Sequence, residues 1–408
     1  MRVLYICHRF PFPPNQGGKI RPFSMIRHLA QRHQVVVCSL ARSSAEAEEA
    51  QGIAPHCAQF HIGRVEDWFQ SLRMVATLPT PRSASSSFFH STRLARAINR
   101  LLREQRFDLI FVHCSSVAHY VEHVRDVPKI LDFADMDSQK WLAYARVKPF
   151  PLNVGYWWEG RRVLAEEKRL ARRFDLCTAI TRSEWETLES YGIGVPSDWF
   201  PNGVDTDYFV PSGDDYDADA ICFVGRMDYY PNQQCMFDFC AKVLPLLRQS
   251  KPSVTLSIVG ADPSPEVRRL GELPGVTVTG SVPDVRPHVA KSALTVAPLS
   301  IARGTQNKIL EAMAMGVPVV ASRVAAGGVD AIAGEHLLVA TTPSEYCDAV
   351  LRVLSDRDER ARLSRAGRAR VLSHHTWSSS MQRMDNIIER CLASRSPDRE
   401  LQPQARSS

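Results

Sequence analysis

Short aliphatic runs, each opening into a polar loop and then a helical pattern, follow one another along this chain and restart once near its middle. VLYIC at 3–7 is the first. A loop with Pro11, Pro13, Pro14, Gly17 and Gly18 follows, then a helical pattern from about Phe23 to Gln31, then VVVCSL at 35–40. Runs of this kind, separated by helices, belong to a parallel sheet buried on both faces. FDLIFVHCS at 107–115, KILDFAD at 129–135 and DLCTAIT at 175–181 continue the series. The stretch 41–106 reads less clearly and holds a Ser-rich patch at 83–87, expected to be a loop. AICFVGRM at 220–227 restarts the pattern, and VTLSIVG at 254–260, VTVTG at 276–280, ALTVAPL at 293–299, PVVAS at 318–322 and HLLVA at 336–340 extend it. A helix over 232–247 is expected to end or bend at Pro245. Strand, helix, strand, twice over, predicts an α/β chain of two Rossmann-like parallel-sheet domains facing each other across a cleft.

A length of 408 residues suits two cores rather than one. The boundary is expected in WFPNGVDTDYFVPSGDDYD, rich in proline, glycine and aspartate, which gives domains at 1–205 and 206–375. A last helix over 376–392 is expected to cross back to the first domain, and 393–408 to be a disordered tail. The formal net charge of +6 is modest for this length. It suits anionic substrates or an acidic membrane surface, and no nucleic-acid-binding pattern accompanies it. Ten cysteines without a CxxC pair are expected to be reduced. The N-terminal run is too short for a signal peptide and no stretch reaches 18 apolar residues, so the expectation is a cytoplasmic protein. A peripheral place on the inner face of the cytoplasmic membrane is the added option, through the charged helix EGRRVLAEEKRLARR at 159–173; a solvated face is the competing reading.

In open parallel sheets, ligands bind beyond the carboxyl ends of the strands. The polar residues there are His8, Gly17 and Gly18, His113, Asp132 and Asp135, Gly225 and Arg226, Gly260, and the stretch 303–311. In RGTQNKILE, Gly304 would let a ligand approach the backbone and Thr305 would cap the following helix. The free amides of that helix, with Arg303 and Lys308, suit a diphosphate. Glu311, an acceptor of hydrogen bonds, suits a ribose diol. Arg226 would clamp the same phosphates. Gly17 and Gly18 are expected to form a flexible turn ahead of the first helix, facing phosphate or sugar, with Lys19 and Arg21 as weaker candidates for acceptor or phosphate contacts. His113 would orient a hydroxyl or move a proton, unless it is a structural histidine. Asp132 and Asp135 are both candidate general bases, and the sequence does not rank them. Asp137 is expected to cap a helix beginning near Ser138. The histidines and aspartates have no recognised metal-ligand spacing, and neither a GxSxG elbow nor a GxxxxGK loop is present.

EAMAMGVPVVAS, from Glu311 to Ser322, resembles the signature of the retaining GT-B glycosyltransferases of family 4. FVGR, SIVG and the glycine-containing N-terminal loop fall in that family's order. QGGKIR, LDFADMDS, VGRMDYYPN and IARGTQNK resemble the sugar transferases of bacterial exopolysaccharide and exosortase gene clusters. The resemblance implies transfer from a nucleotide-diphosphate sugar to a glycan or lipid-linked acceptor, with retention, by front-side attack and without metal or cofactor. It implies that Glu311 binds the ribose, that Arg226 is one of a basic pair, and that His113 is the histidine ending an N-domain strand. Two positions depart from the family. Arg303 stands where its first glutamate is usual, and the lysine expected after Arg226 is replaced around Tyr230–Asn232, a charge Lys308 would supply. Two other readings remain: a sugar-nucleotide epimerase of the same architecture, and a donor-binding protein or scaffold without turnover.

Overall fold

A computed structural model describes residues 1–14, 17–65, 83–213 and 215–395. It divides into two compact units, Met1–Phe200 with Met381–Ser408, and Pro201–Ser380.

The first unit is built on a parallel sheet of seven strands among the described residues: β1 (Arg2–Cys7), β2 (Gln34–Ala41), β3 (Gln59–Arg64), β4 (Leu109–His113), β5 (Lys129–Asp132), β6 (Leu176–Ala179) and β7 (Ser197–Trp199). Their order is β3-β2-β1-β4-β5-β6-β7. Each element is short and aliphatic because both faces of the sheet are covered: every residue of β4 is buried, as is all of β1 after Arg2. β3 and β7 are not evident in the sequence. β3 is only half-buried and its QFHIGR lacks an aliphatic run, while β7 is three residues of an edge strand. The first helix starts at Gly17 rather than near Phe23 and carries Pro22 within its second turn. Gly17 and Gly18 therefore open the helix and do not form a separate turn. Residues 84–88 of the Ser-rich patch are a short helix, not a loop.

The second unit repeats the plan with six strands among the described residues: β8 (Asp217–Val224), β9 (Thr255–Val259), β10 (Val276–Gly280), β11 (Ser292–Ala297), β12 (Val319–Ser322) and β13 (Leu338–Ala340), in the order β10-β9-β8-β11-β12-β13. The helix expected over 232–247 is Tyr230–Asp238, a π turn at Phe239–Val243, and Leu244–Ser250. The three pieces run on without a break, and Pro245 follows directly on the π turn, where Leu244 N–H already bonds back to the Phe239 carbonyl and the shifted register accommodates the missing N–H. In both units the chain builds three strands outward, then returns to the other side of the first. Crevices open at that reversal, between β1 and β4 and between β8 and β11.

The last helix, Trp377–Ala393, is amphipathic. Met381, Met384, Ile387, Ile388 and Cys391 are buried, and within the first unit Asp385 accepts from His28 Nε2 at 2.9 Å. Arg390 and Arg395 pair with Asp198 and Asp175 of the same unit. Residues 396–408, most of the expected tail, lie outside the described residues. All ten cysteines are free thiols and nine are buried. No described helix is long and apolar enough to cross a membrane.

Candidate active site

Among the described residues, three other than glycine adopt left-handed backbone: Cys114 (φ 82°), Ala134 (φ 58°) and Asp262 (φ 56°). They follow the carboxyl ends of β4, β5 and β9. Such conformations cost roughly 1–3 kcal/mol each and collect where the chain must aim side chains. They mark the same edge of each sheet as the topological reversals.

At the reversal of the first sheet, the rings of His8, after β1, and His113, at the end of β4, lie 6.0 Å apart. His113 Nδ1 is 2.8 Å from Asp132 Oδ2. The carboxylate accepts, so Nδ1 carries a proton, and Nε2 is left for a second partner. Asp132 is fully buried and saturated: Arg21 donates from Nε at 3.2 Å and from Nη2 at 3.3 Å, and Thr178 donates at 3.0 Å. Burial opposes its charge, but Arg21 and His113 together hold its carboxyl well below the usual range. Asp132 is thus an anchor, not a base. Arg21, expected at acceptor or phosphate, instead clamps Asp132, donates to the Phe200 carbonyl at 3.0 Å and stacks over the Phe200 ring. Lys19 is likewise buried, paired with Glu46 at 2.7 Å. Asp135 is half-buried, and desolvation raises its pKa despite Lys140. Of the two, Asp132 is the one saturated by donors, which leaves Asp135 the candidate for proton transfer. Asp137 is the first residue of the helix Asp137–Val147 and does not cap it; burial raises its pKa to about 6. Burial also pushes the His8 ring well below the ordinary histidine range, and its Nδ1 has no hydrogen-bond partner.

At the reversal of the second sheet, β8 runs into Gly225 and β11 into the loop before the helix Asn307–Ala314. Gly260 crosses so closely that a Cβ there would stand 1.9 Å from the Gly225 carbonyl oxygen. Lys308, the second residue of the helix, places Nζ 2.8 Å from Asn232 Oδ1 and 4.4 Å from the centroid of Phe223. Asn232 in turn donates to the Arg226 carbonyl at 2.8 Å. A side chain at Gly225 would meet both Asn232 Nδ2 (2.8 Å) and Lys308 Nζ (3.0 Å). The ammonium thus lies against the glycine turn, beside the position where the expected lysine is replaced. Desolvation lowers Lys308 to about 8 and raises Glu311 to about 7, each partly restored by the other's charge. Both shifts run toward the neutral forms, the mark of a site short of compensating charge.

Two expectations change here. The helix begins at Asn307 with Gln306 at its cap position, so Thr305 is not the cap; its hydroxyl oxygen is buried without a partner. No side chain caps the leading amides. Arg226 is exposed and bridges Asp228 at 2.7 Å and Asp262 at 2.8 Å rather than lying against Lys308's cluster. Gly304 takes the left-handed φ of 60° that lets the loop turn, and Arg303 accepts through its carbonyl from Gln306 Nε2 at 3.0 Å. Asn232 and Thr178 join these clusters without a sequence signal of their own. Both partner residues distant in sequence, and no local spacing announces that. No group of three or more histidine, cysteine or carboxylate side chains able to hold a metal occurs among the described residues.

Residues 17–208 match the family described as Glycosyltransferase Family 4, and residues 218–356 the family described as Glycosyl transferases group 1. Among curated proteins, a GDP-mannose-dependent alpha-(1-6)-phosphatidylinositol monomannoside mannosyltransferase of Mycolicibacterium smegmatis is 26% identical over 247 residues. That match takes in 54% of this chain and spans 64% of the relative's length. Among solved structures, sucrose-phosphate synthase from Thermosynechococcus elongatus aligns with a TM-score of 0.71 at 18% identity, covering 97% of this chain and all of that one. HepE of Anabaena in complex with UDP aligns at 0.67 and 15% identity, over 96% of this chain and all of that one. The chain has the GT-B fold, with residues 17–208 matching glycosyltransferase family 4 and residues 218–356 the glycosyl transferases of group 1.

Proposed function

We propose that this chain is a retaining glycosyltransferase. It moves a sugar from a nucleotide-diphosphate sugar to a hydroxyl of a glycan or lipid-linked acceptor, in the synthesis of a bacterial surface polysaccharide. The observation that carries the reading is the cluster Gly225, Asn232, Lys308 and Glu311 at the reversal of the second sheet. A desolvated ammonium beside a glycine turn and an uncapped helix start is only partly compensated by Glu311, and a diphosphate supplies the further negative charge. A half-buried carboxylate one helical turn further along suits the ribose diol. The solved structures of HepE with UDP, and with UDP-glucose, support the donor class.

In this reading the unit 201–380 holds the donor, and the first unit contributes the acceptor side. The bond between the anomeric carbon and the diphosphate oxygen breaks, and negative charge grows on the leaving group. Lys308, the helix amides and Arg303 stabilise that charge more strongly in the transition state than in the bound donor. Arg226 joins them by exchanging Asp228 and Asp262 for phosphate. The acceptor oxygen bonds to the same face of the anomeric carbon with the departing phosphate's help, and Asp135 or that phosphate takes its proton. His113, its tautomer fixed by Asp132, accepts a hydrogen bond from a sugar hydroxyl at Nε2. Arg303 in the place of the family's usual glutamate favours a second reading, donor binding without turnover.

The test is incubation of pure protein with a panel of nucleotide-diphosphate sugars and bacterial lipid extract, following free nucleotide diphosphate. Acceptor-dependent release with one donor, lost in Glu311→Ala, is the expected result. Binding without release from any extract would favour the second reading, and isomerised donor without release an epimerase. A folded protein that binds no donor would refute both.

A further inference from the structure

The charged stretch offered as a membrane contact falls mostly in the C-terminal part of a longer helix, Leu152–Ala171, and several of its charges are engaged within the protein. Arg162 and Glu167 are buried, Arg169 pairs with Glu122 at 2.5 Å, and Glu166 accepts from Ser83 at 2.5 Å. The surface of note lies at the other end. This helix and Asp137–Val147 form an antiparallel hairpin whose tip exposes large apolar side chains: Phe150 is 81% exposed, Leu152 56%, Val154 53%, Trp158 54% and Trp157 49%. Val154, Trp157, Trp158 and the exposed Arg161 follow at helical spacing and share one face. Behind the tip, Trp141 stacks on Tyr156 with ring centroids 5.5 Å apart, and Tyr144 meets Tyr156 edge-on at 5.7 Å, so the exposed groups stand on a packed aromatic base. Three of the chain's seven tryptophans lie in this hairpin.

The charge pattern selects the occupant. From 138 to 158 there is no aspartate or glutamate, while Lys140, Arg146 and Lys148 are basic. Tryptophan and tyrosine favour the boundary between hydrocarbon and headgroups, and neighbouring cations favour anionic lipid. We infer that the tip of this hairpin, residues 147–158, is a membrane-docking surface that seats its aromatic and aliphatic side chains in the headgroup region of an anionic bilayer. The surface is read by partitioning, so it stands or falls separately from sugar transfer.

Flotation of the full chain with vesicles of phosphatidylcholine, with and without phosphatidylglycerol, tests this. The wild type is expected to float with the anionic vesicles and to be released by salt. Trp157→Ala with Trp158→Ala is expected to weaken partitioning about ten-fold or more. Lys148→Gln, which leaves the aromatic surface intact, is expected to weaken it about five-fold on anionic vesicles only. Failure of the folded wild type to float, or unchanged partitioning of both variants, would overturn the inference. So would concentration-dependent dimerisation abolished by the tryptophan pair, which would assign the face to a second copy of this chain.

Discussion

On the proposed reading, Lys308 and Glu311 govern how the donor site responds to pH. Glu311 titrates near 7, so its carboxylate is present above that value; Lys308 titrates near 8, so its ammonium is present below it. Donor capture needs both charged. The ratio kcat/KM, which reports the free protein, should therefore peak between about 7 and 8, with an acid limb from Glu311 and an alkaline limb from Lys308. In Glu311→Gln the acid limb should vanish while the alkaline limb stays; retention of both would assign the acid limb elsewhere. Asp132 and Asp135 separate in the opposite sense. Asp132→Asn leaves Arg21 buried without its anion and should cost about 3–5 kcal/mol of stability, read from denaturant midpoints. Asp135→Asn removes a carboxylate that burial already disfavours, so it should leave stability unchanged or higher while slowing transfer. The sequence presents these aspartates three residues apart after one strand and cannot rank them. What ranks them is Arg21, 111 residues from Asp132 along the chain, with Thr178.

Among elements, the strands that form the centre of each sheet are legible because their burial makes them continuous aliphatic runs, as in β1, β2, β4 and β11. Edge elements are not: β3 carries Gln59, His61 and Arg64, and β7 is too short to show a period. Helix starts misled for a similar reason. Thr305 has the chemistry of a cap, but the cap position falls one residue further on, at Gln306, and Pro22 in a first helix conceals a start at Gly17. The glycine turn after β8 gives a contrast. Gly225→Ala meets the ends of Lys308 and Asn232, which can shift, so donor affinity should fall with little loss of stability. Gly260→Ala meets the Gly225 carbonyl itself, and backbone cannot yield so readily. That variant should lose more than about 3 kcal/mol or fail to fold. Paired thermal melts and nucleotide titrations distinguish the two; equal losses of stability would contradict the assignment of the turn.

For the whole molecule, two units with separate cores imply that one unfolding free energy does not describe the chain. A nucleotide diphosphate held by the unit 201–380 should stabilise that unit by about 2.7 kcal/mol at a hundred times its Kd. Hydrogen exchange should show protection concentrated in β8, β11 and the helix Asn307–Ala314. The central claim is that this reversal in the second sheet is the diphosphate site and that Lys308 is its principal cation. Titration calorimetry with UDP and GDP, on the wild type and on Lys308→Met, tests it most directly. The account predicts binding of one nucleotide to the wild type and a loss of about ten- to a hundred-fold in the variant, as for a charge-assisted contact. Undiminished affinity in a folded Lys308→Met would contradict it and move the phosphate contacts elsewhere.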